Sequence, residues 1–425
     1  MRNIVLIGMP ASGKTSLGKK LAKSFKLDFH DTDASIEKKE KMEIPEIFNM
    51  HGETYFRKIE SAIISEISKT KNTVISTGGG IILDPKNVEN LKKNSVIIFI
   101  DKNPKEILLY YDKTVKKRPL LENKNALYKL YKERYKKYES ASDYTLRVSS
   151  NYFPLILSYM KDVARSFYPD SFYGVIGDPI IHSKSPELYS KLSLNSYEKY
   201  WVKEKFFNDF INAFKTSKLK GVNITAPFKE KMVYHLDEMT EDVHNIKSCN
   251  TVLKKKVNGK SILSGYNTDL KGLYLDLKEK NISYKNKTVA IIGDGGAGKG
   301  IIYYALKMGA KKVLVFVRNL DKVSKTNNDN LELYHFNDLK TYISRADLII
   351  QATPLGMKGM DDYEDLSFFE NIKKNAFIYD IIYAPKMTKF LKKAKAYGFK
   401  FSNGYGMLKK QAELSYEIFK SHIGT

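Results

Sequence analysis

At 425 residues the chain is too long for one ordinary core, and its 42% hydrophobic and 12% aromatic content excludes a disordered chain and suits two or three packed domains. A formal net charge of +24 comes from lysines scattered in pairs such as Lys19-Lys20 and Lys373-Lys374, so it reads as solvated faces that attract small anionic substrates, and no nucleic-acid partner is expected. The single cysteine, Cys249, excludes an intrachain disulfide and a cysteine zinc site. No apolar run approaches the ~20 residues that span a bilayer, so no membrane partner is expected and the location is expected to be cytoplasmic.

In chain order, the run Ile4 to Gly8 predicts a strand entering a glycine turn, followed by a helix. Further strands are expected at Thr73 to Ser76 and Val96 to Ile100. Ile44 to Ile67 has helical spacing with a break near His51-Gly52, and Lys102 to Tyr111 and Leu127 to Tyr138 read as amphipathic helices. Alternation of strands and helices implies a parallel sheet covered on both faces. Phe153 to Arg165 predicts a closing helix, and Ser166 to Ser171, with Pro169, a connector. Beyond it, strands are expected at Phe172 to Gly177, Lys199 to Val202 and Gly221 to Ile224. A second glycine turn follows Thr288 to Gly293, with strands at Val313 to Val317, Leu348 to Gln351 and Ala376 to Ile381, so the second half divides again near Asn281. The fold class expected throughout is α/β.

The first constellation is Gly8-Met9-Pro10-Ala11-Ser12-Gly13-Lys14-Thr15, which fits G-x-x-x-x-G-K-[ST] between a strand and a helix. Backbone N–H groups around Gly8, Ser12 and Gly13 turn toward one anion, Lys14 reaches the outer phosphates, Thr15 offers a hydroxyl to Mg²⁺, and Ser16 completes the nucleotide contacts. This predicts a nucleoside triphosphate and leaves the acceptor open. Asp31-Thr32-Asp33, Phe56-Arg57-Lys58-Ile59-Glu60, Gly78-Gly79-Gly80 and Arg118-Pro119-Leu120-Leu121 follow, and in this order and spacing the series resembles shikimate kinase across the first 165 residues. The resemblance implies ATP as co-substrate and Mg²⁺ placed by Thr15 and, through water, Asp31. It implies that Asp33 takes the 3-hydroxyl of shikimate, that Arg57 and Arg134 hold the carboxylate, that Gly78, Gly79 and Gly80 let the backbone approach the ring, and that Arg118 closes over the phosphates. Two departures stand out: Tyr110 and Tyr111 occupy the neighbourhood of the family's usual adenine-packing arginine, and Ala11 replaces a common glycine.

The second constellation, Gly293-Asp294-Gly295-Gly296-Ala297-Gly298, matches G-x-G-x-x-G after a strand and predicts a dinucleotide pyrophosphate at a helix N-terminus. The next strand ends in Arg318-Asn319 without an acidic residue, which suits the 2′-phosphate of NADP. Around it stand His182-Ser183-Lys184-Ser185-Pro186, Asn223 to Lys229, Asn250-Thr251, Asn267-Thr268-Asp269, Ala352 to Met357, Asp380 to Tyr383, and Gly404 to Leu408 with Gln411. Over residues 172 to 425 this set resembles shikimate dehydrogenase. The resemblance implies that Ser183 and Ser185 bind the substrate carboxylate, that Thr225, Asn250, Asn267 and Gln411 hold ring hydroxyls, and that Tyr383 joins the substrate contacts. Lys229 would supply a proton to the new alkoxide, with Asp269 orienting it, and Gly404 would lie on the cofactor side. Val317 and Asn319, flanking Arg318, depart from the family's usual residues.

Together these readings give a kinase domain at 1–165, a substrate domain at 172–280 and 404–425, and a Rossmann NADP-binding domain at 281–403. The expected activities are NADPH-dependent reduction of 3-dehydroshikimate and ATP-dependent phosphorylation of the shikimate formed. A dehydrogenase that also takes quinate, or one inactive half, remain the alternatives.

Overall fold

The structure, a computed structural model, describes residues 2–108, 124–148, 153–194, 196–320 and 328–421. They form two compact units, one of Met1–Ser171, Asp178–Ile181 and Lys199–Lys218, the other of Phe172–Gly177, His182–Glu198 and Leu219–Thr425.

In the first unit, β1 (Asn3–Ile7), β2 (Asp28–Asp31), β3 (Thr73–Ser76), β4 (Ser95–Lys102) and β5 (Tyr144–Val148) form a parallel sheet ordered β2-β3-β1-β4-β5. Helices cover both faces, so the central strands β1 and β4 read as near-continuous apolar runs and are buried along their length. The helix Ile44–Ile67 carries the expected break, where Gly52 leaves helical geometry at φ 78° and ψ 172°. Its inward side chains Phe56, Ile59 and Ile63 pack with Ile75, Phe99 and Tyr138. Two expectations shift: Lys102 ends β4 rather than opening a helix, with helical geometry at 104–108, and the remainder of the stretch to Tyr111 lies outside the described residues. This unit also takes in Lys199–Lys218, which the sequence placed with the second half. The cause is local: the Tyr144 hydroxyl donates to the Trp201 carbonyl (3.0 Å) and accepts from the Lys203 amide (2.9 Å), while Phe167 meets Phe206 edge-on.

Two further sheets follow along the chain. The first comprises β6 (Tyr173–Gly177), β7 (Tyr197–Trp201), β8 (Gly221–Ile224), β9 (Glu238–Met239), β10 (Thr251–Val257) and β11 (Lys260–Tyr266), ordered β7-β6-β8-β10-β11-β9. Strands β10 and β11 are an antiparallel hairpin about Asn258-Gly259, both left-handed, as a two-residue hairpin turn demands. The other comprises β12 (Thr288–Ile292), β13 (Lys312–Val317), β14 (Leu331–His335), β15 (Leu348–Gln351), β16 (Phe377–Asp380) and β17 (Lys400–Asn403), all parallel and ordered β14-β13-β12-β15-β16-β17. That is the doubly wound dinucleotide-binding order. The chain then returns to the first sheet: Phe419, at the end of the helix Tyr405–Lys420, lies where a Cβ on Gly221 would come within 2.6 Å of its ring. Among the described residues, no helix is long and apolar enough to cross a membrane.

Candidate active sites

In a parallel sheet, ligands gather beyond the carboxyl ends of the strands. In the first unit those ends deliver the Gly8 loop from β1, Asp31 from β2 and Gly78–Gly80 from β3. The helix Lys14–Phe25 has no side-chain cap and no acidic residue in its first turn, unlike Thr32–Glu40, Pro85–Asn94 and Lys389–Ala396, which Asp31, Asp84 and Thr388 cap. Its first N–H groups are therefore left for an anion. Gly13, at φ 94°, and Gly8, where a Cβ would lie 2.7 Å from the Ile100 carbonyl, make the turn possible. The Lys14 ammonium, 7% exposed, spans the loop by donating to the Gly8 and Met9 carbonyls, each at 2.9 Å. Ser12 is buried beside it, and Ser16 is exposed on the first helical turn.

Asp31 does two things. Its Oδ1 caps the following helix, accepting from Asp33 N and Ala34 N, while Oδ2 accepts from the Thr15 hydroxyl at 2.7 Å. Among the described residues no cluster of three or more His, Cys, Asp or Glu could hold a metal, so Mg²⁺ fits here as a phosphate-borne ion, touching the Thr15 hydroxyl and water near Asp31.

Beyond the cradle, the three glycines are closely faced. A Cβ on Gly78 would come within 2.5 Å of Asp33 Oδ1, and one on Gly80 within 2.2 Å of Arg57 Nη1. Asp33, Arg57 and the glycine loop thus share one small space. Arg134 Nη1 and the Tyr138 hydroxyl both donate to the Gly79 carbonyl, at 2.8 and 2.5 Å. The sequence reading gave Glu60 no role: it is 1% exposed, accepts from Arg57 Nη1 at 2.7 Å, and its Oε1 has no partner among the described residues. Burial raises its pKa, and the adjacent Arg57 works against that rise. The signal was a carboxylate on the apolar face between Ile59 and Ile63. Arg118 lies outside the described residues, as do Tyr110 and Tyr111.

In the second unit, β8 runs into the turn that carries Thr225 and Lys229. The Lys229 ammonium lies 2.6 Å from Asp269 Oδ2, and Asp269 sits in the first turn of the helix Thr268–Glu279. Cys249 donates its backbone N–H to the Lys229 carbonyl at 3.0 Å; burial pushes its thiol up to about 12, so it stays an inert filler. Asn250 is joined to Thr268 through its backbone amide (2.8 Å) and hydroxyl (2.9 Å). Thr225 and Ser183 follow the neighbouring strands β8 and β6, and Ser183 donates to Ser185 at 3.2 Å. Gln411 reaches the same corner, accepting from the Thr268 hydroxyl at 3.4 Å. Asn267 Oδ1 caps the helix and its Nδ2 donates to the Ser248 carbonyl at 3.0 Å. Tyr383 is 39% exposed, and no hydrogen bond joins it to this group among the described residues.

The second phosphate cradle follows β12. Gly293 has φ 103°, and a Cβ on Gly298 would lie 2.1 Å from the Gly293 carbonyl, so helix and turn touch backbone to backbone. Gly295, Gly296 and Ala297 are exposed at the start of the helix Gly296–Lys307, which again lacks a side-chain cap and a first-turn acid. A dinucleotide pyrophosphate fits that arrangement. Gly404 marks another close approach, its absent Cβ lying 1.9 Å from the Ile381 carbonyl. Arg318 projects exposed beyond β13, and its carbonyl is 3.2 Å from His335 Nε2. The His335 Nδ1 accepts from Asn337 N, which makes Nε2 the donor to Arg318. His335 ends a strand that the sequence reading did not find.

Comparison with known proteins finds a family for each part of the chain. Residues 10–160 match the shikimate kinase family, 175–252 the shikimate dehydrogenase substrate binding domain, and 276–382 the shikimate / quinate 5-dehydrogenase family. The NADP(+) shikimate dehydrogenase of Alkaliphilus metalliredigens is 34% identical over 261 residues, covering 58% of this chain and 90% of the relative. That of Methanococcus maripaludis is 37% identical over 257 residues, covering 58% and 90%. The solved shikimate dehydrogenase of Aquifex aeolicus is 34% identical with a TM-score of 0.53, covering 59% of this chain and 92% of that one. With a matching kinase segment ahead of the connector and a matching dehydrogenase behind it, the chain belongs to the shikimate dehydrogenase family and carries a shikimate kinase domain at its N-terminus.

Proposed function

We propose that this chain catalyses two consecutive reactions, reducing 3-dehydroshikimate to shikimate and phosphorylating the oxygen just formed. The observation that carries the reading is the 2.6 Å Lys229–Asp269 pair, an acid held by its orienting partner, with Lys229 inside the segment matched to the shikimate dehydrogenase substrate binding domain. The kinase domain is assigned to 1–165, the substrate domain to 172–280 with 404–425, and the NADP domain to 281–403.

In the dehydrogenase, Ser183 and Ser185 bind the carboxylate and Thr225, Asn250 and Gln411 hold ring oxygens. The ketone carbon gains a hydride, which is what NADPH supplies when bound at Gly293–Gly298 and Arg318. As the carbonyl oxygen becomes an alkoxide, the Lys229 ammonium gives it a proton, and Asp269 keeps that ammonium in place. Tyr383 joins the substrate contacts, and Gly404 lies on the cofactor side. In the kinase, Arg57 and Arg134 hold the shikimate carboxylate, Asp33 orients the 3-hydroxyl and takes its proton, and Lys14 balances the charge on the transferring phosphoryl group of ATP. Thr15 and Asp31 place Mg²⁺, and Arg118 completes the phosphate contacts.

Shikimate-dependent reduction of NADP⁺, followed by shikimate-dependent consumption of ATP by the same chain, tests the pair of reactions. Quinate in place of shikimate tests the broader alternative. Turnover with neither acid would sink the reading.

Two residues give sharper outcomes. Arg318→Ala should weaken NADP⁺ by about ten- to a hundredfold and NAD⁺ far less, since only the 2′-phosphate forms a charge-assisted bond worth roughly 1.5–3 kcal/mol. Equal losses for both cofactors count against the assignment. Glu60→Ala removes the buried partner that holds Arg57 and leaves only the exposed Glu53, so KM for shikimate in phosphorylation should rise about tenfold, with KM for ATP unchanged. A parallel rise in both KM values would show general damage to the fold.

A further inference from the structure

Behind the dehydrogenase substrate corner lies a closed set of buried polar groups drawn from five separate stretches of chain. Ser415, fully buried on the helix Tyr405–Lys420, is 2.8 Å from Thr251 Oγ1, 3.0 Å from Thr268 Oγ1 and 3.1 Å from Asn223 Nδ2. Asn223 also donates to Thr251 Oγ1 at 3.1 Å and accepts from the Tyr197 hydroxyl at 2.8 Å. Tyr197 is in turn held by stacking on Tyr189, with ring centroids 4.2 Å apart.

Counting protons fixes the Asn250 end of this set. The Thr268 backbone N–H can only donate, and it points at Asn250 Oδ1 from 2.8 Å, so the amide oxygen of Asn250 is fixed on the protein side. The Thr251 hydroxyl has the same oxygen at 3.1 Å and Ser415 Oγ at 2.8 Å as acceptors for its single proton. Asn250 Nδ2 gives one proton to Thr268 Oγ1 at 2.9 Å, and the single Thr268 proton has Asn250 Oδ1 (3.2 Å), Gln411 Oε1 (3.4 Å) and Ser415 Oγ (3.0 Å) within reach. Ser415 bridges the two hydroxyls that contact Asn250 and also receives a proton from Asn223 Nδ2. Among the described residues, one N–H of Asn250 and the buried Tyr189 hydroxyl have no partner.

We propose that Ser415 is a positioning residue for the dehydrogenase: by closing this ring it holds Asn250 as a donor-only group, so that the site accepts at that position an oxygen with a lone pair to offer. The inference rests on the reading that Asn250 touches the substrate. In buried networks each bond polarises the next, and one broken member leaves its neighbours unsatisfied, so the effect of Ser415 reaches the substrate only through Asn250.

A double-mutant cycle on the full chain tests this. Ser415→Ala should raise KM for shikimate about tenfold while kcat, KM for NADP⁺ and the phosphorylation rate stay within about twofold, since one lost hydrogen bond is worth about 1.4 kcal/mol at most. In the Asn250→Ala background the same change should add less than twofold. Multiplying effects in the two backgrounds, or a fall in kcat with both KM values rising, would assign Ser415 a merely structural role and overturn the proposal. If Asn250→Ala alone leaves KM for shikimate unchanged, the substrate reading of Asn250 fails, and the proposal with it, by a result distinct from the first. Should Ser415→Ala not fold, Ser415→Cys keeps the volume with a weak donor and should show the same split between KM and kcat.

Discussion

Lys229→Ala is expected to slow shikimate oxidation by about 10²–10⁴, the span usual for loss of a positioned general acid or base, while ATP-dependent phosphorylation proceeds at its original rate. The local fold gives grounds for attributing the loss to chemistry. Lys229 is held by its backbone, through the Cys249 N–H on its carbonyl and the fully buried Phe228 before it, whereas its side chain is 36% exposed. Removing the ammonium leaves Asp269 partly in water, so no buried charge is stranded and the unfolding temperature should barely move. Lys229→Arg refines the test: a guanidinium keeps the charge beside Asp269 but does not give up a proton, so substrate binding should persist without turnover. Rates for Lys229→Ala within tenfold of the parent would remove Lys229 from the reaction.

The sequence carried the two cradles and most central strands because those features are written locally. A strand buried on both faces is a plain apolar run, as at Leu348–Gln351, and a phosphate turn is a fixed spacing of glycines. Gly52, between two apolar helical stretches, marked the break in Ile44–Ile67 for the same reason. What escaped notice was mostly edge or antiparallel structure. The hairpin β10–β11 becomes exposed toward its turn and carries lysine at 254–256, so its apolar content is low; its Asn258-Gly259 turn was the available sign. Strand β14 is only partly buried, and it carries His335 to the Arg318 carbonyl.

Residue types in a motif indicate chemistry but not which bonds are already taken. Asn250 and Asn267 look alike in the sequence, yet Asn250 is tied to the buried Thr251 and Thr268 hydroxyls while Asn267 is tied to the helix start and the Ser248 carbonyl. Asp31 shows the converse, since capping a helix and receiving the Thr15 hydroxyl use different oxygens and do not compete. Ser415 was illegible for a further reason: it acts on residues that the fold brings to it and stands in no pattern of its own. Glu60, three residues after Arg57 on one helix, stood inside a quoted motif but was given no role.

Lys14→Ala should abolish phosphorylation, with a loss of about 10³-fold or more, and leave NADP⁺ reduction intact. Phosphoryl transfer offers the protein little covalent work, so most of its contribution is charge placed where the transferring group develops it. The cradle is prepared for this: the first turn of Lys14–Phe25 has neither a side-chain cap nor an acidic residue, and Lys14 is the cation inside the loop, bonded to the Gly8 and Met9 carbonyls. Those bonds also hold the loop in shape, which gives the substitution a second possible effect. Thermal unfolding separates the two. Magnesium ATP should raise the unfolding temperature of the parent through binding to the native state, and this rise should shrink in the variant while the temperature without nucleotide stays close to that of the parent. A collapse of the nucleotide-free temperature would point to lost loop structure, and phosphorylation above a tenth of the parent rate would show that another cation carries the phosphoryl charge.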